Sequence, residues 1–386
     1  MGYSRDSRKS KPLHVVIVGG GYAGLAALVT LHEQCSRTLI TLIDSGDEHV
    51  KVTHLHESFS SPQKNFRIPF CLLEKRFGIR HIKASLLFSE ADLSRYSESG
   101  QLEINGEKIS FDYLLWSTGS GLRTNGLEKG ENTLILDDFS KVSGPSLLQT
   151  QLSRCKEDHP CITVVGGGAS GVQFLFEIDH YIRVNKLPWT LRLVDSGNKP
   201  LRQFVPSLGR YVCARMEDLG IEYIPNHYFL IQRNNSVVLE DRDSYSRCEL
   251  PSALTLYFSG KNDISRIETN WFGQIRIGGK TLKRIFAAGD CAHYRSPGSN
   301  TLTAQSAVRK GILAARNIMR QAGFLGLMWP YMHRDLGYVV SMGPSDAIGW
   351  VGSPKNIIAG SPALSVKAVV ESQYDLLLAG TDTFVL

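Results

Sequence analysis

A strand running into G-x-G-x-x-G and then into a helix is a demanding pattern, and this chain carries it twice. "VVIVGGGYAG" supplies Gly19, Gly21 and Gly24, and "ITVVGGGASG" supplies Gly166, Gly168 and Gly171. Each is followed by an apolar stretch of helical spacing, the first from Leu25 to His32, and then by a second buried strand. Those strands, "LITLID" and "WTLRLVD", end at Asp44 and Asp195. The first glycine of each set permits the tight turn, and the second lets a pyrophosphate approach the backbone. The third lets helix and strand pack closely. The helix N-terminus then presents unpaired N–H groups and a positive dipole end to the phosphates. Asp44 and Asp195 stand where an acid accepts hydrogen bonds from a ribose. Two such units in one chain imply two dinucleotides. Asp195 would repel a 2′-phosphate, which favours NADH over NADPH; Arg192, alternating with buried positions of its strand, reads as a solvated residue rather than a phosphate ligand.

Composition narrows the rest. At 386 residues the chain has room for more than one domain and a sizeable core. A net charge of +6 is spread thinly apart from "SRKSK" near the start, so nucleic acid is not the natural partner. No uncharged run approaches the ~18–20 residues of a membrane span, and no secretory h-region precedes the first strand, which points to a cytoplasmic location. Gly2 lacks a myristoylation context because Asp6 stands where Ser or Thr is wanted. Seven scattered cysteines without a CxxC suggest neither a disulfide framework nor a metal site.

Two further stretches bear on which dinucleotide sits where. "FDYLLWSTGS" is a buried strand ending in Ser117, Thr118 and Gly119, and "LKRIFAAGDCA" ends in Gly289 and Asp290. With the two fingerprints, in this order and across about residues 13 to 292, the chain resembles the two-dinucleotide-binding-domain flavoproteins, the pyridine-nucleotide-dependent FAD reductases. Ser117 replaces that family's alanine. The resemblance implies an α/β fold with two Rossmann-like domains, the NAD-binding domain inserted in the FAD-binding domain. It assigns FAD to Gly19, Gly21, Gly24, Asp44, Thr118, Gly119, Gly289 and Asp290, the last bonding the ribityl chain. NADH falls to Gly166, Gly168, Gly171 and Asp195. The expected division is FAD domain at 1–122 and 257–329, NAD domain at 123–256, and an irregular Gly- and Pro-punctuated region at 330–386. "QLEINGEKIS" has the alternation and Asn-Gly turn of a β-hairpin.

The electron acceptor must come from other residues. No C-x4-C pair exists for disulfide chemistry, and Cys155 and Cys161, the closest pair, flank the first strand of the NAD domain. "NTLTAQSAVRKGILAARNI" resembles the A-Q-x-A-x-Q helix start of type II NADH dehydrogenases, the single-subunit NADH:quinone oxidoreductases. Ala304, Gln305 and Ala307 match, and Arg309 stands for the second glutamine. "YMHRDLGYVVSMGPSDAIGWV" continues that likeness, and "HLHESF" is similar to the flavin-flanking loop of short quinone reductases. The resemblance makes Gln305, which also borders the flavin, Ala304 and Gln173 the catalytic candidates, and a quinone or quinone-like molecule the acceptor. Thr303 is a good N-cap, so the positive helix end would face the flavin. Gln173 departs from the family, which commonly has a glutamate there.

In "PALSVKAVVESQYDLLLAG", Val366, Val369, Val370, Tyr374 and Leu377 share one helical face, and Lys367, Glu371 and Asp375 another. That apolar stripe suits a peripheral membrane contact on the cytoplasmic face, a homodimer interface, or packing on its own domain. The departures at Gln173 and Arg309 leave two alternatives open: a soluble NADH-dependent reductase of a small redox protein, and a slow-turnover FAD- and NADH-binding redox sensor.

Overall fold

A computed structural model describes residues 12–119, 130, 132–154, 159–258 and 266–381. The first fingerprint folds as strand β1 (Leu13–Val18), helix α1 (Tyr22–Gln34) and strand β2 (Thr38–Asp44). The chain returns beside β1 as β3 (Tyr113–Trp116). The second fingerprint folds as β4 (Cys161–Val165), α2 (Ala169–Val184) and β5 (Thr190–Val194), followed later by β6 (Leu254–Tyr257). Then come β7 (Lys280–Ala287) and helix α3 (Ala304–Gln321).

These strands make two separate sheets. In the eight-stranded sheet, β7, β3, β1, β2 and the Arg80–Lys83 strand lie side by side and parallel. The five-stranded sheet runs Glu222–Ile224, β5, β4, β6, Thr133–Ile135, all parallel. Every strand of the second sheet lies, in sequence, between β3 and the later strands of the first, so one dinucleotide fold is inserted in the other. Val15 to Ile17 and Ile162 to Val164 are completely buried, as parallel strands covered on both faces must be.

The two glycine turns are built alike. Gly19 has φ +100° and Gly166 φ +106°, values that side chains rarely adopt. A Cβ on Gly24 would lie 1.9 Å from the Gly19 carbonyl oxygen, and one on Gly171 would lie 1.9 Å from that of Gly166. Neither helix could sit where it does with alanine there. Ser117, the departure from the family's alanine, has a packing reason: its hydroxyl donates to the Val18 and Gly19 carbonyls at 3.0 and 2.9 Å, tying β3 to the first turn. Helix α3 crosses α1 just as closely, because a Cβ on Gly311 would meet the Ala23 carbonyl oxygen at 2.2 Å.

The hairpin forms as read, Gln101–Ile104 pairing with Glu107–Ser110, with both Asn105 and Gly106 at positive φ. Two expectations change. The region beyond residue 330 is not irregular: β8 (Gly337–Ser341), β9 (Ala347–Val351) and β10 (Ile357–Ala359) form an antiparallel sheet, followed by α4 (Ser361–Leu378). The strands are only three to five residues long, too short for alternation to show. Arg192 is buried rather than solvated; its Nε donates to Glu222 at 2.6 Å and its Nη1 to the Pro251 carbonyl at 2.9 Å. The parallel register puts Glu222 opposite Arg192, a pairing across thirty positions that strand alternation does not reveal.

The glycine geometry separates packing from binding. Gly24→Ala is expected to destabilise the protein by roughly 1–3 kcal/mol or more through overpacking. Gly21→Ala, which meets nothing within 4 Å, should change stability by less than about 1 kcal/mol. Urea unfolding of both variants measures this, and a larger loss for Gly21→Ala would contradict the packing account.

Candidate active site

Both fingerprints leave the same vacant approach. Ideal Cβ atoms on Gly21 and Gly168 meet nothing within 4 Å, so each turn has open space above its second motif glycine, where a phosphate group fits. The two acids also match. Asp44 accepts from the Gly20 and Gly46 amides at 2.7 and 2.8 Å. Asp195 accepts from the Gly167 amide and, at 2.5 Å, from the Gly197 amide. Each carboxylate thus holds its glycine turn in shape while retaining lone pairs for further donors. The residues present therefore fit two dinucleotides.

The first cradle is bounded by a further glycine contact. Gly289 has φ +83°, and a Cβ there would lie 3.0 Å from that of Ala23, so the turn before Asp290 sits against the start of α1. Beside Asp290, the buried Lys310 donates to the Ala292 carbonyl and Asn300 Oδ1, both at 3.0 Å. Burial lowers its pKa to about 8, with Arg266 adding to the effect and Asp290 opposing it. Thr303 caps α3 as read, accepting the Ser306 amide at 3.1 Å. Ala304 and Gln305 are half-buried in the first turn of that helix.

The "HLHESF" stretch forms a 3-10 helix, Val52–Ser58, and meets residues from three distant elements. His56 Nε2 lies 3.1 Å from Ser341 Oγ on β8. The Gln173 amide on α2 donates to Ser341 Oγ at 3.2 Å and reaches within 3.4 Å of His56 Nε2. Burial pushes the His56 pKa down to about 3, so the ring is neutral. Gln173, the loop residue His56 and the C-terminal sheet thus converge, which sequence spacing did not reveal.

Glu177, one turn beyond Gln173 on α2, is the functional candidate that the sequence reading missed. It is 2 % exposed, and its Oε2 has no hydrogen-bond partner. Burial raises its pKa to about 7, reinforced by Glu57 and opposed by Ser60, Lys367 and Lys64. Its signal was available: a helix face repeats every three to four residues, so Glu177 shares the side of Gln173.

Helix α4 packs against α1 and the C-terminal sheet, the own-domain packing that its sequence left open beside a membrane or dimer contact. Part of its charged face is engaged by the protein: Lys367 bonds Glu57 and Glu371 at 2.7 and 2.8 Å, while Asp375, paired with Lys51, stays exposed. Burial would raise the Glu57 pKa, but hydrogen bonds and charge from His54 and Lys367 win and hold it well below the usual carboxylate range. His54, Glu57 and Glu371 could by type ligate a metal, but the Lys367 ammonium already neutralises that cluster. Tyr374 and Leu377 are buried, whereas Val369 and Val370 remain exposed. Tyr374 reaches the first cradle, its hydroxyl donating to His49 Nε2 at 3.1 Å while His49 Nδ1 donates to the Gly20 carbonyl at 3.0 Å. All six described cysteines are free thiols; Cys155 lies outside the described residues.

Two glycine-turn cradles in nested parallel sheets define a two-dinucleotide oxidoreductase fold. The chain belongs to the pyridine nucleotide-disulphide oxidoreductase family, whose model matches residues 13–311. It is 25% identical over 398 residues to the type II NADH:quinone oxidoreductase of Staphylococcus epidermidis, covering 95% of this chain and 96% of that one. Its fold matches NDH2 from Plasmodium falciparum in complex with NADH, with TM-score 0.76, 14% identity and coverage of 97% and 99%. The sulfide:quinone oxidoreductase of Aquifex aeolicus matches with TM-score 0.75, 16% identity and coverage of 96% and 93%.

The buried carboxyl has a measurable signature. The unfolded chain releases the Glu177 proton near pH 4.5 and the folded chain near 7, so stability falls as pH rises between those values. Glu177→Gln should therefore unfold like the parent near pH 4 and be more stable above pH 7, by up to about 3 kcal/mol. Denaturant titrations at several pH values test this; parallel curves for the two proteins would place Glu177 in a solvated, ordinary environment.

Proposed function

We propose that this protein is an FAD-dependent oxidoreductase that takes two electrons from NADH and passes them to a quinone. The observation that carries the reading is the duplicated cradle, in a chain aligned over nearly its whole length with a quinone oxidoreductase. FAD supplies the redox chemistry when bound, accepting a hydride from the nicotinamide and releasing two electrons to the acceptor. Gly19, Gly21, Gly24 and Asp44 would hold its adenosine diphosphate half, with Thr118, Gly119, Gly289, Asp290 and Gln305 along the rest. Gly166, Gly168, Gly171 and Asp195 would hold NADH, and the Asp195 carboxylate disfavours a 2′-phosphate.

Around the reaction centre the protein's own groups orient and move protons. The capped N-terminus of α3 directs its unpaired N–H groups, and so a partial positive charge, toward negative charge developing nearby. Ala304, with the smallest side chain that turn can carry apart from glycine, would leave room for a flat acceptor beside it. Gln173 cannot exchange a proton at neutral pH; its amide orients Ser341 and His56. Glu177, with a pKa of about 7, is suited to hold and release the proton that quinone reduction requires. That titratable carboxyl favours turnover over the slow-sensor reading. A quinone acceptor also implies work at a bilayer surface, and no helix among the described residues is long and apolar enough to cross a membrane.

The decisive experiment is steady-state NADH oxidation with and without a short-chain ubiquinone or menaquinone analogue. Quinone should accelerate it at least about tenfold over oxygen alone, the size of effect that a lowering of about 1.4 kcal/mol in the barrier produces. No acceleration by any quinone, alongside rapid reduction of a ferredoxin-like protein, would overturn the acceptor.

Ala304→Phe separates the half-reactions. Quinone KM should rise or quinone turnover vanish, while stopped-flow bleaching of the flavin by NADH keeps a near-normal rate. Unchanged quinone kinetics would move the acceptor pocket elsewhere in the protein.

A further inference from the structure

The first glycine turn is held from several sides by distant parts of its own chain. A Cβ on Gly20 would lie 2.4 Å from the Phe70 ring, so only glycine fits beneath that ring. The Gly20 amide donates to Asp44 at 2.7 Å, and the Gly20 carbonyl accepts from His49 Nδ1 at 3.0 Å. A carbonyl can only accept, so Nδ1 carries the proton and Nε2 is left as the acceptor. That acceptor is met by the Tyr374 hydroxyl of α4, 3.1 Å away and 325 positions along the chain. Both side chains are buried, and burial keeps the imidazole neutral by pushing its pKa down to about 4. Tyr374 thus fixes the tautomer of His49, and His49 fixes the direction of one carbonyl.

The consequence lies across the same peptide bond. The Gly20 carbonyl and the Gly21 amide belong to one planar trans unit, so they point in opposite directions. Holding the carbonyl on the His49 side turns the Gly21 N–H away from it. Gly21 is exposed, its amide bonds no described backbone carbonyl, and a Cβ there meets nothing within 4 Å. A peptide left to rotate would present an oxygen to an incoming phosphate as readily as an N–H, and only the N–H attracts an anion.

The second turn meets the same requirement with its own backbone. There the Gly167 amide bonds Asp195, as that of Gly20 bonds Asp44, and the Gly167 carbonyl accepts the Leu201 amide at 2.7 Å. The first turn has a side chain in that place, steadied from the C-terminal helix. Lys51 pairs with Asp375, and Arg76 donates to the Ala379 carbonyl at 2.7 Å, which fastens the end of α4 beside the turn. The Tyr22 ring at the start of α1 packs on both His49 and Tyr374, with centroids 5.0 and 4.8 Å apart.

We propose that His49 and Tyr374 are positioning residues for FAD: through the Gly20 carbonyl they aim the Gly21 amide at the pyrophosphate, which makes flavin retention depend on the C-terminal helix. The proposal rests on the assignment of FAD to the first cradle.

The test uses full-length protein saturated with FAD. Flavin release after dilution is followed by fluorescence, and phosphorus NMR reads the surroundings of the bound pyrophosphate. Tyr374→Phe removes one hydroxyl and keeps the ring. It should shift the phosphorus resonances and speed release about tenfold, the effect of leaving one buried acceptor unpaired. His49→Leu should release flavin at least as fast. His49→Asn puts an amide donor where Nδ1 stands, and should retain FAD to within about threefold of the parent. Tyr181→Phe removes another buried hydroxyl, one that accepts from Gln149 at 2.7 Å in the NAD-binding part of the chain. It should lower Tm but leave flavin release and the phosphorus spectrum as in the parent. NADH affinity should hold in every His49 and Tyr374 variant, because the second turn draws on neither residue.

Unchanged release and spectra in Tyr374→Phe overturn the proposal. So does equally fast release from Tyr181→Phe, or a His49→Asn protein that retains FAD no better than His49→Leu. A parent that takes up no FAD overturns it together with the flavin assignment. Fast release from Tyr374→Phe, when the parent keeps FAD but is inert to quinones, upholds the positioning role and removes only the acceptor.

Discussion

Everything in this structure depends on two helices lying almost against the turns that precede them. The contact between Gly24 and the Gly19 carbonyl, and its counterpart between Gly171 and Gly166, leave no room for a single methyl group. Because the helices are that close, their N-terminal amides reach the level of the strand ends. Open space above Gly21 and Gly168 then becomes a cradle rather than a gap. Asp44 and Asp195 reinforce this by accepting amides from their own glycine loops, so one carboxylate shapes a turn and stays available to a ribose. Close packing and ligand binding are here one constraint.

The second layer of organisation is the convergence of distant segments on the region between the cradles. A short loop supplies His56 and Glu57, α2 supplies Gln173 and Glu177, and the C-terminal sheet and helix supply Ser341 and Lys367. Burial governs the protonation there. The same low-dielectric setting keeps His56 neutral and lifts Glu177 toward neutrality, while Glu57, held by Lys367 and His54, stays ionised. Two carboxylates on neighbouring elements are thereby pushed apart in pKa, which is how a proton-transfer group is distinguished from a structural one.

Much of the fold was legible because it is local. The strand-glycine-helix pattern, the Asn-Gly hairpin and the Thr303 cap each rest on residues within about twenty positions of one another, whereas the nested order of the segments came from the family resemblance. Short-range sterics leave such stretches little choice. The C-terminal sheet escaped notice because strands of three to five residues carry too few alternations, and Arg192 was misjudged because its carboxylate partner is set by register between parallel strands. On α4 the period left the orientation open, and the tertiary structure decides it, burying Tyr374 and Leu377 and leaving Val369 and Val370 exposed: periodicity tells which residues share a face, never which face is turned inward.

The sequence by itself therefore determined the two cradles and their order, since glycines at those positions admit hardly any other backbone. Only the tertiary structure decided what surrounds them. The partner of each buried charge, the pairing of Gln173 with His56 and Ser341, the unpaired Oε2 of Glu177 and the hold of Tyr374 and His49 on the first glycine turn all arise from contacts between segments far apart in the chain. Desolvation and charge pairing act through space, and the order of residues along the chain does not carry those distances.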